Sequence, residues 1–214
     1  MFWIALAAQL SAPLPIGPRF PDVRALFTAD DYPRYLQLEG KSAVVYTRTT
    51  VRPDGSTEGC LPEISSGDKK LDAYTCALIV KRARFEPARW TDGTPAYGVI
   101  RVPVSYRIVD SPMTDADLAQ FIVPDIDLAV NRLPKGGGAI VSLTLEIAMD
   151  AEGRTVACHE ERASIMHNKK QFPELVAIAC QKATAEFTGV PPVDAAGKPA
   201  RSIQTVGVRF SKSR

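Results

Sequence analysis

A tandem repeat is the sequence feature that most constrains the fold. Residues 55–60 resemble residues 153–158, because in both segments a glycine precedes a cysteine by five positions. Further along the chain, the matching residues lie 104 positions apart instead of 98. Self-similarity at a fixed shift is the sequence signature of a repeated structural unit. The shift of 104 aligns Leu71 with Leu175, Cys76 with Cys180, Pro87 with Pro191, Gly93 with Gly197, Pro95 with Pro199, Ala96 with Ala200, Val102 with Val206, Val104 with Val208 and Tyr106 with Phe210.

The apolar periodicity predicts the same order of elements in both copies. Alternating apolar residues indicate strands, and apolar residues at helical spacing indicate a helix. Pro53-Asp54-Gly55 is typical of a turn, and Ser65 or Ser66 is the expected helix cap. We therefore expect an α+β fold of two tandem β-β-α-β units, each a small antiparallel sheet with a helix on one face. The periodic segments are 71–79 and 102–108 in the first copy, and 141–149, 175–179 and 206–210 in the second. Residues 43–51 are predicted to be a strand because they are rich in Val, Thr and Tyr.

The repeat also predicts the domain boundaries. We place the first unit at residues 21–109 and the divergent second unit at residues 139–214. Residues 110–138 are interpreted as a linker with a short helix that begins at Thr114. Residues 1–20 are interpreted as a signal peptide and an N-terminal tail.

The apolar start of the chain bears on its compartment. The run MFWIALAAQLSA ends in small residues and is too short to cross a bilayer, which takes about 20 residues. It is typical of a short secretory signal cleaved near Ala12, and the alternative is a buried N-terminal segment. We expect a periplasmic or secreted protein with no membrane span in the mature chain.

The four cysteines have two interpretations. The first is one disulfide within each unit, Cys60 with Cys76 and Cys158 with Cys180, which suits an oxidising compartment. The second is a metal site, although the spacing of its ligands matches no compact zinc pattern. A redox-active pair is disfavoured because the sequence has no Cys-x-x-Cys motif. The metal ligands in the second interpretation would be Cys158, His159, His167 and Cys180.

Composition argues against several functional classes. The formal net charge is only +2, which lacks the basic excess of a nucleic-acid-binding surface. The sequence has no phosphate-binding loop, nucleophile elbow or zinc-protease motif, so we expect no enzyme activity and no cofactor. Asp115, Asp117, Asp125 and Asp127 are interpreted as helix caps and solvated residues rather than a catalytic group. Trp90 is interpreted as a packing residue, with a binding aromatic as the alternative.

The first unit resembles the C-terminal domain of TonB, the periplasmic end of an energy transducer that drives outer-membrane transporters. The resemblance extends over residues 31–108, and the second unit resembles the same domain as a divergent copy that keeps Gly153, Leu175, Pro191 and Gly197. The motifs are Asp31-Tyr32-Pro33, Gly40-Lys41, Pro53-Asp54-Gly55, Ser65-Ser66-Gly67, Leu71-Asp72, Phe85-Glu86-Pro87-Ala88, Asp92-Gly93-Thr94-Pro95 and Val102-Pro103-Val104.

The resemblance implies binding by strand addition. In the family, the last strand of the domain lies at a sheet edge and pairs with a short transporter peptide, the TonB box. Pro103 removes one backbone donor from that edge. The alternative is a structural envelope module in which the two closing strands pair with each other. The residues that the resemblance assigns to partner binding are Tyr32, Pro33, Val102, Val104, Tyr106 and Ile108.

Overall fold

A computed structural model describes residues 14–20, 26–107, 124–135, 138–161 and 172–213. The predicted signal sequence up to residue 13, the linker helix predicted at Thr114, and Ile108 lie outside the described residues. No helix in the described part has both the length and the apolar character needed to cross a bilayer. The first half contains α1 (Arg34–Glu39), β1 (Ala43–Val51), β2 (Thr57–Ile64), α2 (Lys69–Arg82), β3 (Ala88–Arg89) and β4 (Pro95–Tyr106). The second half contains β5 (Ile126–Val130), β6 (Ile140–Met149), β7 (Thr155–Glu160), α3 (Pro173–Glu186) and β8 (Ser202–Lys212).

The strands form one mixed sheet instead of the two separate small sheets expected from the sequence. The strand order is β2-β1-β4-β8-β6-β7, with β3 added to β4 and β5 added to β8. The two halves join where residues 97–99 of β4 pair in parallel with residues 202–204 of β8. Each of these strands would otherwise leave backbone groups unpaired at a sheet edge, and the short parallel contact satisfies part of both edges.

The two long helices cover opposite faces of this sheet. Side chains at even-numbered positions of β4 pack under α2, and those at even-numbered positions of β8 pack under α3. The parallel register sets Tyr97 beside Ser202 and Gly98 beside Ile203, so even positions of one strand lie next to odd positions of the other. Because neighbouring residues in a sheet point to the same face, each half has its own core on its own side.

The same backbone details recur in both halves. A register shift interrupts the β1–β2 ladder between Thr50 and Val51, and the β6–β7 ladder between Ala148 and Met149, 98 residues later. The turn glycines also match, since Gly55 has φ +83° and Gly153 has φ +81°. A Cβ on the first would lie 2.2 Å from the Phe85 carbonyl oxygen, and one on the second 2.4 Å from the Gly189 carbonyl oxygen. Only glycine fits both positions.

One disulfide cross-links a strand to a helix in each half. Cys60 of β2 is bonded to Cys76 of α2, and Cys158 of β7 is bonded to Cys180 of α3. This is the pairing expected from the sequence, and it removes two of the four ligands from the alternative metal site. Closing a loop of this length stabilises a fold by about 3 kcal/mol.

The cap of α2 differs from the expected one. Asp68, rather than Ser65 or Ser66, is the N-cap residue, and its carboxylate accepts hydrogen bonds from the backbone N–H groups of Lys70 and Leu71. The two serine hydroxyls donate to the buried carboxylate of Asp72 instead. Asp68 directly precedes the first helical residue, so its carboxylate reaches the free N–H groups of the first turn, whereas the two serines lie two and three residues further upstream.

Candidate functional site

The outer edge of β4 is the candidate binding site. The backbone N–H of Arg101 donates to the Thr205 hydroxyl at 3.4 Å, so the odd-numbered residues of β4 point their backbone groups away from β1. Val102 points the other way and accepts a hydrogen bond from the Thr47 hydroxyl at 3.0 Å. Beyond Arg101, none of the strands in the described ranges pairs with this outer edge.

Two residues define what this edge offers to a partner strand. Pro103 is exposed and has no backbone N–H, so it supplies only its carbonyl oxygen. Ser105 is also exposed and supplies both an N–H donor and a C=O acceptor. A short extended peptide can therefore form a ladder here, although one donor is missing from it.

An apolar groove lies beside the open edge. Its volume is about 520 Å³, and its apolar wall is formed by Phe27, Tyr32, Val104 and Tyr106. The rings of Tyr32 and Tyr106 meet edge to face, with their centroids 5.9 Å apart. A strand added to β4 would direct every second side chain to the same face as Val104 and Tyr106, and so into this groove.

Hydrogen bonds hold the two tyrosines in place. The hydroxyl of Tyr106 lies 2.9 Å from the Thr75 hydroxyl of α2, and the hydroxyl of Tyr32 donates to the Lys41 carbonyl oxygen. Burial raises the pKa of both phenols above the usual value. Both hydroxyls therefore stay protonated at neutral pH, and the groove wall carries no charge from them.

An ion pair between the buried Asp31 and the exposed Arg82 fixes the segment that carries Phe27 and Tyr32. The Asp31 carboxylate accepts a hydrogen bond from Arg82 Nη1 at 2.7 Å and from the Thr28 backbone N–H at 2.8 Å. The Arg82 hydrogen bond is the largest cause that lowers the pKa of Asp31 to about 2. Asp31 is therefore charged at every physiological pH and anchors this side of the groove to the end of α2.

The structure brings only some of the predicted partner-binding residues together. Tyr32, Val104 and Tyr106 line the groove, whereas Val102 is buried under α2 and Pro33 is the residue before α1. Val102, Val104 and Tyr106 are each 4% exposed, so they belong mainly to the core of the first half. Phe27 and Ser105 were not among the residues predicted from the sequence. The alternation of apolar and polar residues in β4 was the available signal for Ser105.

An ion network marks the point where β4 and β8 diverge. Asp125 accepts hydrogen bonds from Arg48 Nη2 at 2.9 Å, Arg101 Nη2 at 2.8 Å and the Gly207 backbone N–H at 2.8 Å. Glu63 bonds both arginines from the other side. The network ties the first half to the start of β5 and to β8.

The structure also locates the residues of two other interpretations, the alternative metal site and the loop tryptophan Trp90. His159 Nε2 lies 2.8 Å from a Glu146 carboxylate oxygen, and His167 lies outside the described residues. Among the residues that the structure describes, no group of three or more His, Cys, Asp or Glu side chains could hold a metal ion. The Arg201 guanidinium stacks 4.3 Å above the ring of Trp90, which packs against the small apolar cluster between the halves.

Residues 28–108 match the family model of the Gram-negative bacterial TonB protein C-terminal domain. The matched region contains β4, the open edge and the whole apolar wall except Phe27. No curated protein and no solved structure matches the chain.

Proposed function

We propose that this chain is a non-enzymatic, TonB-like protein of the bacterial envelope that binds an extended segment of a protein partner by strand addition. The observation that carries the proposal is the outer edge of β4 at residues 103–105, which no strand of the described ranges pairs with and which lies beside an apolar groove. A sheet edge supplies main-chain hydrogen bonds, and a groove for alternate side chains supplies specificity.

The family match supports both the location and the partner class. The matched domain belongs to non-enzymatic energy transducers of the Gram-negative envelope that interact with other proteins. The two disulfides fit an oxidising compartment, which supports a periplasmic location. The proposed partner is a TonB-box-like segment of an outer-membrane transporter, which would link this chain to TonB-dependent transport.

We further propose that the second half is a divergent tandem copy of the first. The equivalent glycines, register shifts and disulfides support this, at the shifts of 98 and 104 residues found in the sequence. The loops before the two closing strands also have the same backbone hydrogen bond at equivalent positions. Trp90 N–H donates to the Thr94 carbonyl, and Asp194 N–H, 104 residues on, donates to the Lys198 carbonyl.

A structural envelope module is the second candidate. The parallel pairing of residues 97–99 with 202–204 favours it, because the two closing strands do meet. That contact uses only the first part of β4, whereas a module with closed edges would also need residues 103–105 to be paired. The binding function is favoured because β1 pairs with only the inner side of that segment, and no strand in the described part of the chain pairs with its outer edge.

A matched pair of variants tests the binding function. Ser105→Pro removes the N–H that faces outward, and the neighbouring position 103 already carries a proline in the same strand. Ser105→Ala keeps the N–H and removes only the hydroxyl. We expect synthetic TonB-box peptides to bind the wild-type chain and Ser105→Ala, and to bind Ser105→Pro at least about tenfold more weakly. Equal binding to both variants, or no binding to the wild type, would reject strand addition at this edge.

A further inference from the structure

The second half already carries an added strand at its own edge. Strand β5 pairs in parallel with residues 208–212 of β8. These positions correspond, at the shift of 104, to residues 104–108 of the first half. The chain therefore fills, in the second half, the edge that stays open in the described part of the first half.

The contacts of β5 are those of a bound peptide. Its alternate residues Ile126, Leu128 and Val130 are half-buried against the core of the second half. The residues between them, Asp127 and Ala129, are exposed. Among the described strands β5 pairs with β8 alone, so its backbone is held from one side only.

The ends of β5 are fastened by a few polar bonds. At its start, the Asp125 backbone N–H donates to the Gly207 carbonyl at 2.8 Å. Along the strand, Asp127 forms an exposed ion pair with Arg209. After its end, the Ser213 backbone N–H donates to the Val130 carbonyl at 2.9 Å. The exposed ion pair contributes little, whereas the mostly buried ion pairs of Asp125 with Arg48 and Arg101 hold the start of the segment. Along the strand itself, the apolar side chains and the backbone ladder supply most of the binding.

We propose that the β8 edge is a second strand-binding surface and that β5 is its resident ligand, held in cis. The partner that fits this surface is an extended peptide that runs parallel to β8 and carries apolar residues at alternate positions. This inference goes beyond the proposed function, because it concerns the second half and does not require the β4 edge to bind anything.

Individual amides of β8 report on the occupancy of this edge. Gly207 and Ser213 point their backbone groups at the β5 segment, so by alternation Arg209 and Ser211 do so too. The amides of Val208 and Phe210 face β6 instead and serve as controls within the same strand.

The test uses the variant Leu128→Asp in the full chain and a synthetic peptide of residues 124–132. A charge at position 128 would be buried against the second core, so β5 should leave the edge. We expect hydrogen exchange at Arg209 and Ser211 to accelerate by at least about tenfold, while Val208 and Phe210 keep their protection. Added peptide should slow the exchange of Arg209 and Ser211 again, and a peptide with Asp at the position of Leu128 should not.

Two results would overturn the proposal. If Leu128→Asp accelerates exchange at Val208 and Phe210 as much as at Arg209 and Ser211, β5 is an integral part of one cooperative unit. If the wild-type peptide fails to restore protection, the edge does not accept a strand in trans. Both results concern β8 alone and leave the peptide test on β4 unaffected.

Discussion

The substitution Asp125→Asn should destabilise the protein more than its place in a predicted linker suggests. The carboxylate is 8% exposed and accepts three hydrogen bonds, two from the guanidinium groups of Arg48 and Arg101 and one from the Gly207 backbone. The amide that replaces the carboxylate would keep its shape but lose the charge and one acceptor oxygen. The NH₂ group of that amide would then face a donor.

The size of the effect follows from these contacts. A hydrogen bond to a charged group contributes about 1.5–3 kcal/mol to stability. Arg48 and Arg101 retain Glu63 as a partner, and their side chains are 29% and 18% exposed, so water compensates for part of the loss. We expect a loss of about 2 kcal/mol in the free energy of unfolding, which corresponds to roughly 4–8 °C in Tm for a chain of this size.

The assay is urea unfolding at neutral pH, with Asp127→Asn as the matched control. Asp127 is two positions away, and its ion pair with Arg209 joins side chains that are 48% and 38% exposed. That substitution should cost less than about 1 kcal/mol. If the two variants lose the same stability, Asp125 does not anchor β5, and the account of the ion network is wrong.

Three further predictions concern the second half. Burial, and then the nearby Glu146 carboxylate, raise the pKa of Glu161 from 4.5 to about 7. The folded state therefore binds this proton more tightly, and stability falls as the pH rises from 4.5 through 7. Glu161→Gln should stabilise the protein by about 2 kcal/mol at pH 8 and have no effect at pH 4 in urea unfolding. Gly153→Ala should cost more than about 2 kcal/mol in the same assay, whereas Gly197→Ala, with φ +74° and open space around it, should cost about 1 kcal/mol. Joint replacement of both cysteines of the second disulfide by serine should lower stability by about 3 kcal/mol under non-reducing conditions, and reductant should then have less effect than on the wild type.

Much of the local structure is predictable from the sequence. The alternation in β4 and β6, the helical spacing in α2 and the glycine turns all depend on residues close together in the chain. The disulfide pairing follows because each cysteine pair lies within one strand-to-helix segment. These features need no knowledge of distant contacts.

The features that depend on distant contacts are harder to predict. Strand β5 is five residues long and lies in a predicted linker, and it is a strand because β8 offers it an edge. The sequence predicts a capping or solvated role for Asp125, yet its partners Arg48 and Arg101 come from strands far away in the sequence. The residues next to β5 and Asp125 in the sequence carry no pattern that indicates either contact.

In the candidate site, too, the features set by neighbouring residues are predictable from the sequence, and those set by distant contacts are not. The sequence places Val104 and Tyr106 in the closing strand, and their alternation already indicates that they face the core. The edge that a partner would meet belongs to the odd-numbered residues of β4, among which Ser105, between Val104 and Tyr106, offers a backbone donor. Phe27 lies before the first recognisable motif, and only the tertiary structure brings its ring within 6.4 Å of Tyr106.

The most direct test of the account is the amide signal of Ser105 during titration of the full chain with a TonB-box peptide. We expect the Ser105 amide signal to shift and to gain protection from exchange, while the amides of Val104 and Tyr106, which face β1, change little. The amides of Arg209 and Ser211 of β8 should stay unchanged, because β5 already occupies their edge. A saturating peptide that leaves Ser105 unchanged would contradict the central claim that the outer edge of β4 binds a partner strand.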